Sequence, residues 1–403
     1  MTKKNKKLPG ARWYSYFFLY GLLKPFLFLY FHLFQNVHFK RNGHQIPKEP
    51  FFSIGNHHTN WDGFYHCIMF YSRFPHFIVH DEVFKNKEYA WIFGDFLGQV
   101  KRGRDSSDME PILTFKRLLG SGQSVSVFPE GDIDMFGGTL PIDPSIAKMA
   151  KFLGAPIVLT RVHGAHLRAP RWSNLAHHSR ITFEVSDVIP ASEVKAMDLT
   201  YLLERIVKGI TVSAYEDQMA SPVRLWGRRR AEWLELGLYL CPRCRQYETL
   251  VSRGNHFVCT SCGLTGTVDQ HLLLNTEPET YFIRPDDWDR WQKQELEAKI
   301  HEAPLGAHLF TLSGGTAAMV AGEQYFGIEE VPASARLYTD RLELHIKDQD
   351  LVCIRIEDII ASQVQYKDVF EITTKTKRYR LRRRFPKWSA YLWANCVKSL
   401  SKI

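Results

Sequence analysis

Cysteine is scarce in this sequence, and so are long uninterrupted apolar runs. Seven cysteines occur among 403 residues; four of them form two Cys-x-x-Cys pairs and three are scattered. This usage argues against a disulfide scaffold and favours a reducing compartment. No small-residue cleavage site follows the apolar segment near the start of the chain, which argues against a removed signal peptide.

The longest apolar stretch, residues 13–34, is interrupted at its middle by Lys24-Pro25. As one helix rising ~1.5 Å per residue, it is just long enough to cross the hydrocarbon layer. A charge and a helix breaker at the bilayer centre would be costly, so two helices dipping into one leaflet are the more economical interpretation. A buried pair of core helices is the alternative, and the sequence leaves open whether the stretch spans a bilayer.

Acidic residues are outnumbered, and the formal net charge is +9. This excess predicts an anionic partner, either nucleic acid or an anionic membrane leaflet. The basic tail 3–7 precedes the aromatic-rich apolar stretch, an order that suits a membrane interface. We therefore expect membrane phospholipids as partners rather than nucleic acid. The expected location is the cytoplasmic face of the cell membrane, with a peripheral or monotopic attachment or one N-terminal membrane segment.

From residue 37 to residue 220, helical and strand patterns alternate with short loops. Such alternation predicts an α/β sandwich around one sheet. The predicted strands are 51–54, 77–79, 124–128, 156–162 and 180–185, and the predicted helices are 62–74, 84–96, 111–119, 146–152 and 199–219.

The segment 55–63, Gly-Asn-His-His-Thr-Asn-Trp-Asp-Gly, follows one of these strands. His57 and Asp62 stand five positions apart across a strand-to-helix turn, so their side chains can meet. Asp62 would keep one nitrogen of His57 protonated and leave the other free to take a proton from a hydroxyl. No nucleophile accompanies the pair, so the attacking hydroxyl should belong to the substrate. From spacing alone, a capping or core histidine is the more ordinary interpretation, and His58 competes for the same role.

Four ordered blocks resemble the PlsC-type glycerolipid acyltransferases: His57-x-x-x-x-Asp62, then 98–104, 127–131 and 154–158. The resemblance covers about the first 215 residues. It implies transfer of a fatty acyl group from acyl-CoA or acyl carrier protein to lysophosphatidic acid, giving phosphatidic acid. It selects His57 over His58 as the general base because the family spacing to the aspartate is five.

The resemblance also implies residues that bind the substrate. In the family, an arginine of the second block is thought to hold the acceptor phosphate, which suits the paired hydrogen bonds of a guanidinium. Arg102 is the first choice, Arg104 is the alternative, and Lys101 accompanies them. The ordinary interpretation of this cluster is a solvated basic loop.

The third block, Phe128-Pro129-Glu130-Gly131, leaves a predicted strand and enters a glycine turn. The resemblance implies that Glu130 and Gly131 contact the substrate, whereas a surface turn is the ordinary interpretation. The family usually continues with Thr-Arg or Thr-Ser, but this chain has Asp132-Ile133-Asp134. Carboxylates beside a phosphate pocket weaken anion binding. They favour, as an alternative, another lysophospholipid or a lipid-linked sugar as the acceptor.

Two Cys-x-x-Cys pairs, separated by fourteen residues, predict a structural zinc site. The four thiolates of two such knuckles can surround one Zn²⁺ ion, and closed four-cysteine sites are structural. Redox pairs or disulfides are the alternatives. The predicted ligands are Cys241, Cys244, Cys259 and Cys262. An acyltransferase domain followed by such a pair of knuckles resembles a bacterial subgroup with an appended zinc ribbon.

The remaining segments predict a polar connector helix and a β-rich module. Short alternating strands followed by one helix resemble a PH- or GRAM-like domain, which could bind lipid or protein. We expect these divisions: 1–36, basic tail and apolar anchor; 37–220, acyltransferase domain; 221–238, basic amphipathic linker helix; 239–275, zinc ribbon; 276–304, connector helix; 305–403, PH/GRAM-like domain. Seven basic residues near the end of this module predict a basic face for binding, and a merely solvated face is the alternative. They are Lys375, Lys377, Arg378, Arg380, Arg382, Arg383 and Arg384. A catalytically silent lipid-binding scaffold is the competing function.

Overall fold

In the computed structural model, the chain divides into two compact units. The first comprises Met1–Ala169 and His178–Val223, and the second comprises Pro170–His177 and Arg224–Ile403. The structure describes residues 24–70, 74–80, 84, 87–102, 109–173, 175–320, 330–383 and 388–402.

The first unit is built on a seven-stranded mixed sheet with the order β1-β7-β6-β2-β5-β3-β4. Strands β6, β2, β5, β3 and β4 are parallel, whereas β7 runs antiparallel to β6. The predicted α/β architecture around one sheet is therefore confirmed. The strands are β1 (Val37–Lys40), β2 (Phe52–Gly55), β3 (His76–His80), β4 (Val100–Arg102), β5 (Val125–Val127), β6 (Ile157–His163) and β7 (Ile181–Ile189).

Helices cover both faces of this sheet, so its central strands are apolar on both sides. On β2, Phe52 and Ile54 join one core cluster, while the preceding Phe51 joins the cluster on the opposite face. The helices are α1 (Lys24–Leu29), α2 (Asp62–Met69), α3 (Lys87–Ala90), α4 (Glu110–Gly120), α5 (Ser145–Leu153), α6 (Ala165–Arg168), α7 (Ala191–Ala196), α8 (Leu199–Ile210) and α9 (Ala214–Ala220), with π-helical turns Tyr30–Phe34 and Trp91–Phe96 after α1 and α3.

The single helix predicted over 199–219 is wrong, because this segment forms the two helices α8 and α9. Thr211 and Ser213 both have extended backbone conformations, and the Ser213 side chain caps α9 by accepting a hydrogen bond from the Glu216 N–H. A serine that can cap a helix competes with helix continuation at this point.

Only part of the apolar N-terminal stretch is described. Residues 13–23 lie outside the described residues, and α1 begins at Lys24 with Pro25 in its first turn, where proline is tolerated. Over the described ranges, no helix combines the length and apolarity that a bilayer crossing requires.

The second unit contains a small antiparallel sheet and a larger β-rich region. The small sheet has the order β11-β10-β9-β8, and the larger one has the order β15-β14-β13-β12-β18-β17-β16. The elements are β8 (Leu250–Arg253), β9 (His256–Cys259), β10 (Thr265–Val268), β11 (Leu274–Glu277), α10 (Pro285–Glu302), β12 (His308–Val320), β13 (Val331–Tyr338), β14 (Arg341–Ile346), β15 (Val352–Arg355), β16 (Ile359–Gln365), β17 (Val369–Thr374), β18 (Arg378–Arg382) and α11 (Ala390–Leu400). The β-rich C-terminal region followed by one helix is confirmed, and its likeness to PH or GRAM domains stays a prediction.

The amphipathic linker helix predicted for 221–238 is wrong. This fully described segment consists of turns and irregular backbone, and its one helical piece is the 3₁₀ turn Leu234–Leu236. Arg229 and Trp233 have left-handed backbone conformations, with φ of 64° and 70°, which an α-helix does not accommodate. The apolar residues that suggested a helix face, such as Leu234 and Leu238, are buried in the folded unit.

The basic face predicted on the C-terminal strands is partly neutralised. Arg380 lies 2.6 Å from the buried Glu371, and Arg382 lies 2.8 Å from Asp368. Arg384 is outside the described residues. Because these acids come from the neighbouring strand and turn, the charge cluster in the sequence is not a uniformly cationic surface.

Candidate active site

The carboxyl end of β2 carries the predicted histidine-aspartate pair. Residues 56–61 leave the strand as a loop, and α2 begins at Asp62. This connection brings His57 Nδ1 to 2.9 Å from Asp62 Oδ2. The His57 side chain is 23% exposed, whereas the Asp62 side chain is fully buried. The histidine is therefore accessible while its partner is shielded from water.

Asp62 is held by several donors besides His57. Its Oδ2 accepts hydrogen bonds from the main-chain N–H groups of His58 and Thr59, at 2.7 and 2.8 Å, and its Oδ1 accepts one from Thr59 Oγ1 at 2.9 Å. Burial alone would raise the pKa of Asp62, but the bond to His57 and the N–H donors outweigh burial and lower the pKa. Asp62 is thus a fixed carboxylate that can orient the His57 ring. Sequence reasoning did not identify Thr59.

His58 has a different environment from His57. Its side chain is 2% exposed, and neither ring nitrogen has a hydrogen-bond partner. Burial lowers the pKa of His58 to about 4, so the ring is neutral at physiological pH. The structure therefore brings His57, and not His58, into contact with the aspartate side chain through its ring.

Glu130 reaches the same loop from the end of β5. Its Oε1 accepts a hydrogen bond from the main-chain N–H of His57, and its Oε2 accepts one from the N–H of Leu140, both at 2.7 Å. Burial raises the pKa of the Glu130 carboxyl to about 8, against the opposing effect of these N–H bonds. Gly131 follows with a φ of +71°, a conformation that favours glycine.

One aromatic contact of His57 and one buried histidine behind the His57–Asp62 pair were not found by sequence reasoning. The Phe128 ring stacks on the His57 ring, with centroids 4.7 Å apart and planes 11° from parallel. Behind the pair, the buried His66 bridges the Asp62 main-chain oxygen and Thr160 Oγ1, at 2.9 Å each. Gly55 makes this approach possible, because a Cβ there would lie 2.5 Å from Thr160 Oγ1. No local motif distinguishes these residues, since their partners are distant in the chain.

An apolar cavity of about 600 Å³ opens beside His57. Its walls come from α2, β3 and the helical segment around α3, and they include Phe64, Phe77, Phe93 and Phe128. A cavity of this size and polarity suits an aliphatic chain with few polar groups.

The predicted phosphate-binding residues lie on β4 and beyond it. Lys101 and Arg102 are exposed at the carboxyl end of that strand, on the same edge of the sheet as His57. β5 and β3 separate β2 from β4, which corresponds to about 14 Å across the edge. Arg104 lies outside the described residues.

The four predicted zinc ligands converge in the second unit. All four Sγ atoms lie within 4.8 Å of one another, and two of the pairs are 3.7 Å apart. A tetrahedral zinc site with bonds of ~2.3 Å has sulfur atoms ~3.8 Å apart, so the donor set fits Zn²⁺. Each knuckle turns through a left-handed residue, Arg245 or Gly263, whose N–H donates to the oxygen of the first cysteine.

The fold and the site define an enzyme domain with a histidine-aspartate pair on the wall of an apolar cavity. Residues 36–161, which contain this pair, match the family model described as Acyltransferase. The chain therefore carries an acyltransferase domain, and the expected class of enzyme, an O-acyltransferase, is confirmed. The match covers less than half of the chain, so the assignment applies to this domain. A comparison with curated proteins gave no match.

Three solved structures resemble parts of the chain. The lysophosphatidic acid acyltransferase PlsC from Thermotoga maritima is 18% identical, with 48% of this chain and 79% of that chain covered and a TM-score of 0.39. The N-terminal PH domain of human ARAP2 is 13% identical over 23% and 79% of the two chains, with a TM-score of 0.19. A C-terminal domain of an unknown protein from Leishmania infantum is 8% identical over 28% and 96%, with a TM-score of 0.18.

Proposed function

We propose that the protein transfers a fatty acyl group from acyl-CoA or acyl carrier protein to the free hydroxyl of lysophosphatidic acid, giving phosphatidic acid. The observation that carries this proposal is the 2.9 Å contact between His57 and Asp62 on the wall of the apolar cavity. The acyltransferase match of residues 36–161 supports the reaction class.

In this mechanism, His57 is the general base. Asp62 holds the proton on Nδ1, so Nε2 takes the proton from the acceptor hydroxyl. The hydroxyl oxygen then forms a bond to the thioester carbonyl carbon, and the carbon–sulfur bond breaks. The leaving thiolate takes the proton back from His57, which restores the neutral ring. The cavity would hold the acyl chain during the transfer.

We propose separately which head group the acceptor carries. Lys101 and Arg102, exposed on the catalytic edge of the sheet, support an acceptor with a phosphate group. Asp132 and Asp134 lie in the loop after Glu130 and oppose a dianionic phosphate. They favour, as the second candidate, a lysophospholipid with a less negative head group.

We place the enzyme on the cytoplasmic face of the cell membrane. Four exposed aromatic side chains, here called the aromatic rim, support attachment to a membrane: Trp61, Phe64, Tyr89 and Trp91. Phe64 and Tyr89 also line the cavity, and the Trp61 and Phe64 rings lie 5.4 Å apart. Tryptophan and tyrosine are enriched where proteins meet the membrane interface.

We also propose that Cys241, Cys244, Cys259 and Cys262 bind a structural Zn²⁺ ion. Zinc would fix the knuckles and would take no part in acyl transfer, because its four ligands close the coordination sphere. We further propose that the C-terminal region is a PH- or GRAM-like domain, which binds lipid or protein.

The test is acyl transfer by the purified full chain in lipid vesicles. Labelled acyl-CoA or acyl carrier protein is offered with lysophosphatidate or with other lysophospholipids, and His57→Ala is the control. Product from lysophosphatidate that depends on His57, and that falls in Arg102→Ala, supports the proposal. Product from another acceptor alone would move the assignment to the second candidate, and transfer that persists in His57→Ala would overturn the mechanism.

A further inference from the structure

Glu130 binds the main chain of the loop that carries the proposed base. One oxygen of the carboxyl group accepts the N–H of His57 and the other accepts the N–H of Leu140, each at 2.7 Å. The three residues belong to two separate loops, and 73 positions separate His57 from Glu130. One oxygen of this side chain therefore joins the two loops, and the other ties Glu130 to Leu140 within its own loop.

We propose that Glu130 is a positioning residue, which fixes the main chain of His57, and is not a ligand of the acceptor hydroxyl. The inference rests on the proposed role of His57 as the general base. It replaces the substrate contact that the family resemblance implies for this glutamate.

Three contacts define the position of the His57 ring. Asp62 fixes Nδ1, Phe128 covers one face of the ring, and Glu130 holds the backbone from which the ring projects. Phe128 stands two residues before Glu130 and accepts the N–H of Gly131 at 3.3 Å, so the same turn supplies the stacking ring and the clamp. Loss of the carboxyl group would release the backbone of His57 from this turn. A displacement of about 1 Å at a reacting group can cost about 100-fold in rate.

The experiment compares Glu130→Gln and Glu130→Ala in the full chain. Glutamine keeps the shape of the side chain but accepts through only one of its two terminal atoms, whereas alanine accepts no hydrogen bond. We expect kcat to fall by about 10-fold in Glu130→Gln and about 100-fold in Glu130→Ala. The KM for lysophosphatidate should change by less than about twofold in both. A KM that rises by about tenfold with kcat retained would assign Glu130 to acceptor binding and overturn the proposal.

A binding measurement separates this inference from the proposed mechanism. His57→Ala and the double variant His57→Ala/Glu130→Gln are compared for equilibrium binding of lysophosphatidate in mixed micelles. Equal affinities are expected, and a loss of about tenfold in the double variant would overturn the positioning role. Activity that persists in His57→Ala would instead overturn the proposed mechanism.

Asp143→Asn is the matched control for both measurements. The Asp143 carboxylate also accepts a main-chain N–H, from Ser145 at 2.7 Å, but it is exposed and this bond lies two residues away in the same segment. Its kcat and KM should match those of the unmodified protein. A control that loses as much kcat as Glu130→Gln would show that the loss reflects general loosening of the fold, and it would overturn the specific role of Glu130.

Discussion

The main-chain N–H of His58 donates a hydrogen bond to the same Asp62 oxygen that the His57 ring contacts, at 2.7 Å. The His58 ring itself is buried and has no hydrogen-bond partner. Two adjacent histidines therefore serve the same carboxylate in different ways, one through its ring and the other through its backbone. Only the first arrangement can move a proton.

Substitution of the two histidines should separate these roles. His57→Ala should lower kcat by about 1000-fold or more, because it removes the general base. His58→Leu should change kcat by less than about threefold, because it removes no hydrogen bond and keeps most of the buried volume. Initial rates of acyl transfer, with circular dichroism as the control for folding, test both. Similar losses in the two variants would contradict the assignment of the base.

Glu130 should make stability depend on pH. Its folded-state pKa of about 8 exceeds the ordinary value of 4.5, so the folded protein retains a proton that the unfolded chain releases between these values. Stability therefore falls as pH rises from 4.5 to about 8, by at most about 1.4 kcal/mol per pH unit for one group. In urea unfolding, the stability of the unmodified protein relative to Glu130→Gln should decline over this window. A difference that is constant with pH would contradict the prediction.

Metal removal should destabilise the whole second unit and not only its small sheet. Tyr239 and Leu240, next to the first ligand Cys241, belong to the same core cluster as α11 and the C-terminal sheet. The Trp288 indole of α10 also donates to the Leu240 oxygen, at 2.8 Å. We therefore expect a chelator to lower the unfolding temperature of the whole unit, since zinc binding supplies folding free energy to such sites.

The matched variants for this test are Cys241→Ser and Cys353→Ser, because Cys353 is exposed and lies outside the four-cysteine group. Cys241→Ser should reproduce the effect of the chelator and should bind less zinc by elemental analysis. Cys353→Ser should behave as the unmodified protein. A full zinc content in Cys241→Ser would contradict the proposed ligand set.

The aromatic rim should contribute to vesicle binding. Trp61 and Trp91 are 51% and 53% exposed, and burial of their apolar area in the interface should stabilise the bound state. The double substitution Trp61→Ser/Trp91→Ser should weaken binding to anionic vesicles by about tenfold or more, as measured by flotation. Trp226→Ser is the control, since Trp226 is 62% exposed but lies in the other unit. A larger loss in the control than in the double variant would assign membrane contact to the second unit instead.

Local spacing was sufficient to predict several features of this protein. The five-residue step from His57 to Asp62 and the two Cys-x-x-Cys pairs each place their members within one turn or knuckle. The structure brings both sets together. The alternation of helical and strand patterns likewise predicted the α/β sheet. A strand that is buried on both faces carries apolar residues on both sides, as Phe51, Phe52 and Ile54 do at β2.

Predictions from the sequence were wrong where the residues of one segment contact residues far away in the chain. The apolar spacing of 221–238 suggested a helix, but left-handed residues and tertiary burial produce turns there. The basic run on the last strands suggested a cationic face, but Glu371 and Asp368 pair with Arg380 and Arg382. The sequence of a segment shows which charges it carries, but it does not show which residues pair with those charges in the folded protein.

The sequence by itself determined the chemistry that is available: an imidazole, a carboxylate at the right step, four thiols and an apolar frame. The tertiary structure alone decided how that chemistry is arranged. It brought Phe128 against the His57 ring, engaged Glu130 with the backbone of His57, and opened an apolar cavity beside the pair. These contacts join residues far apart in the chain, and they form only when the parallel strands bring their carboxyl ends to one edge of the sheet.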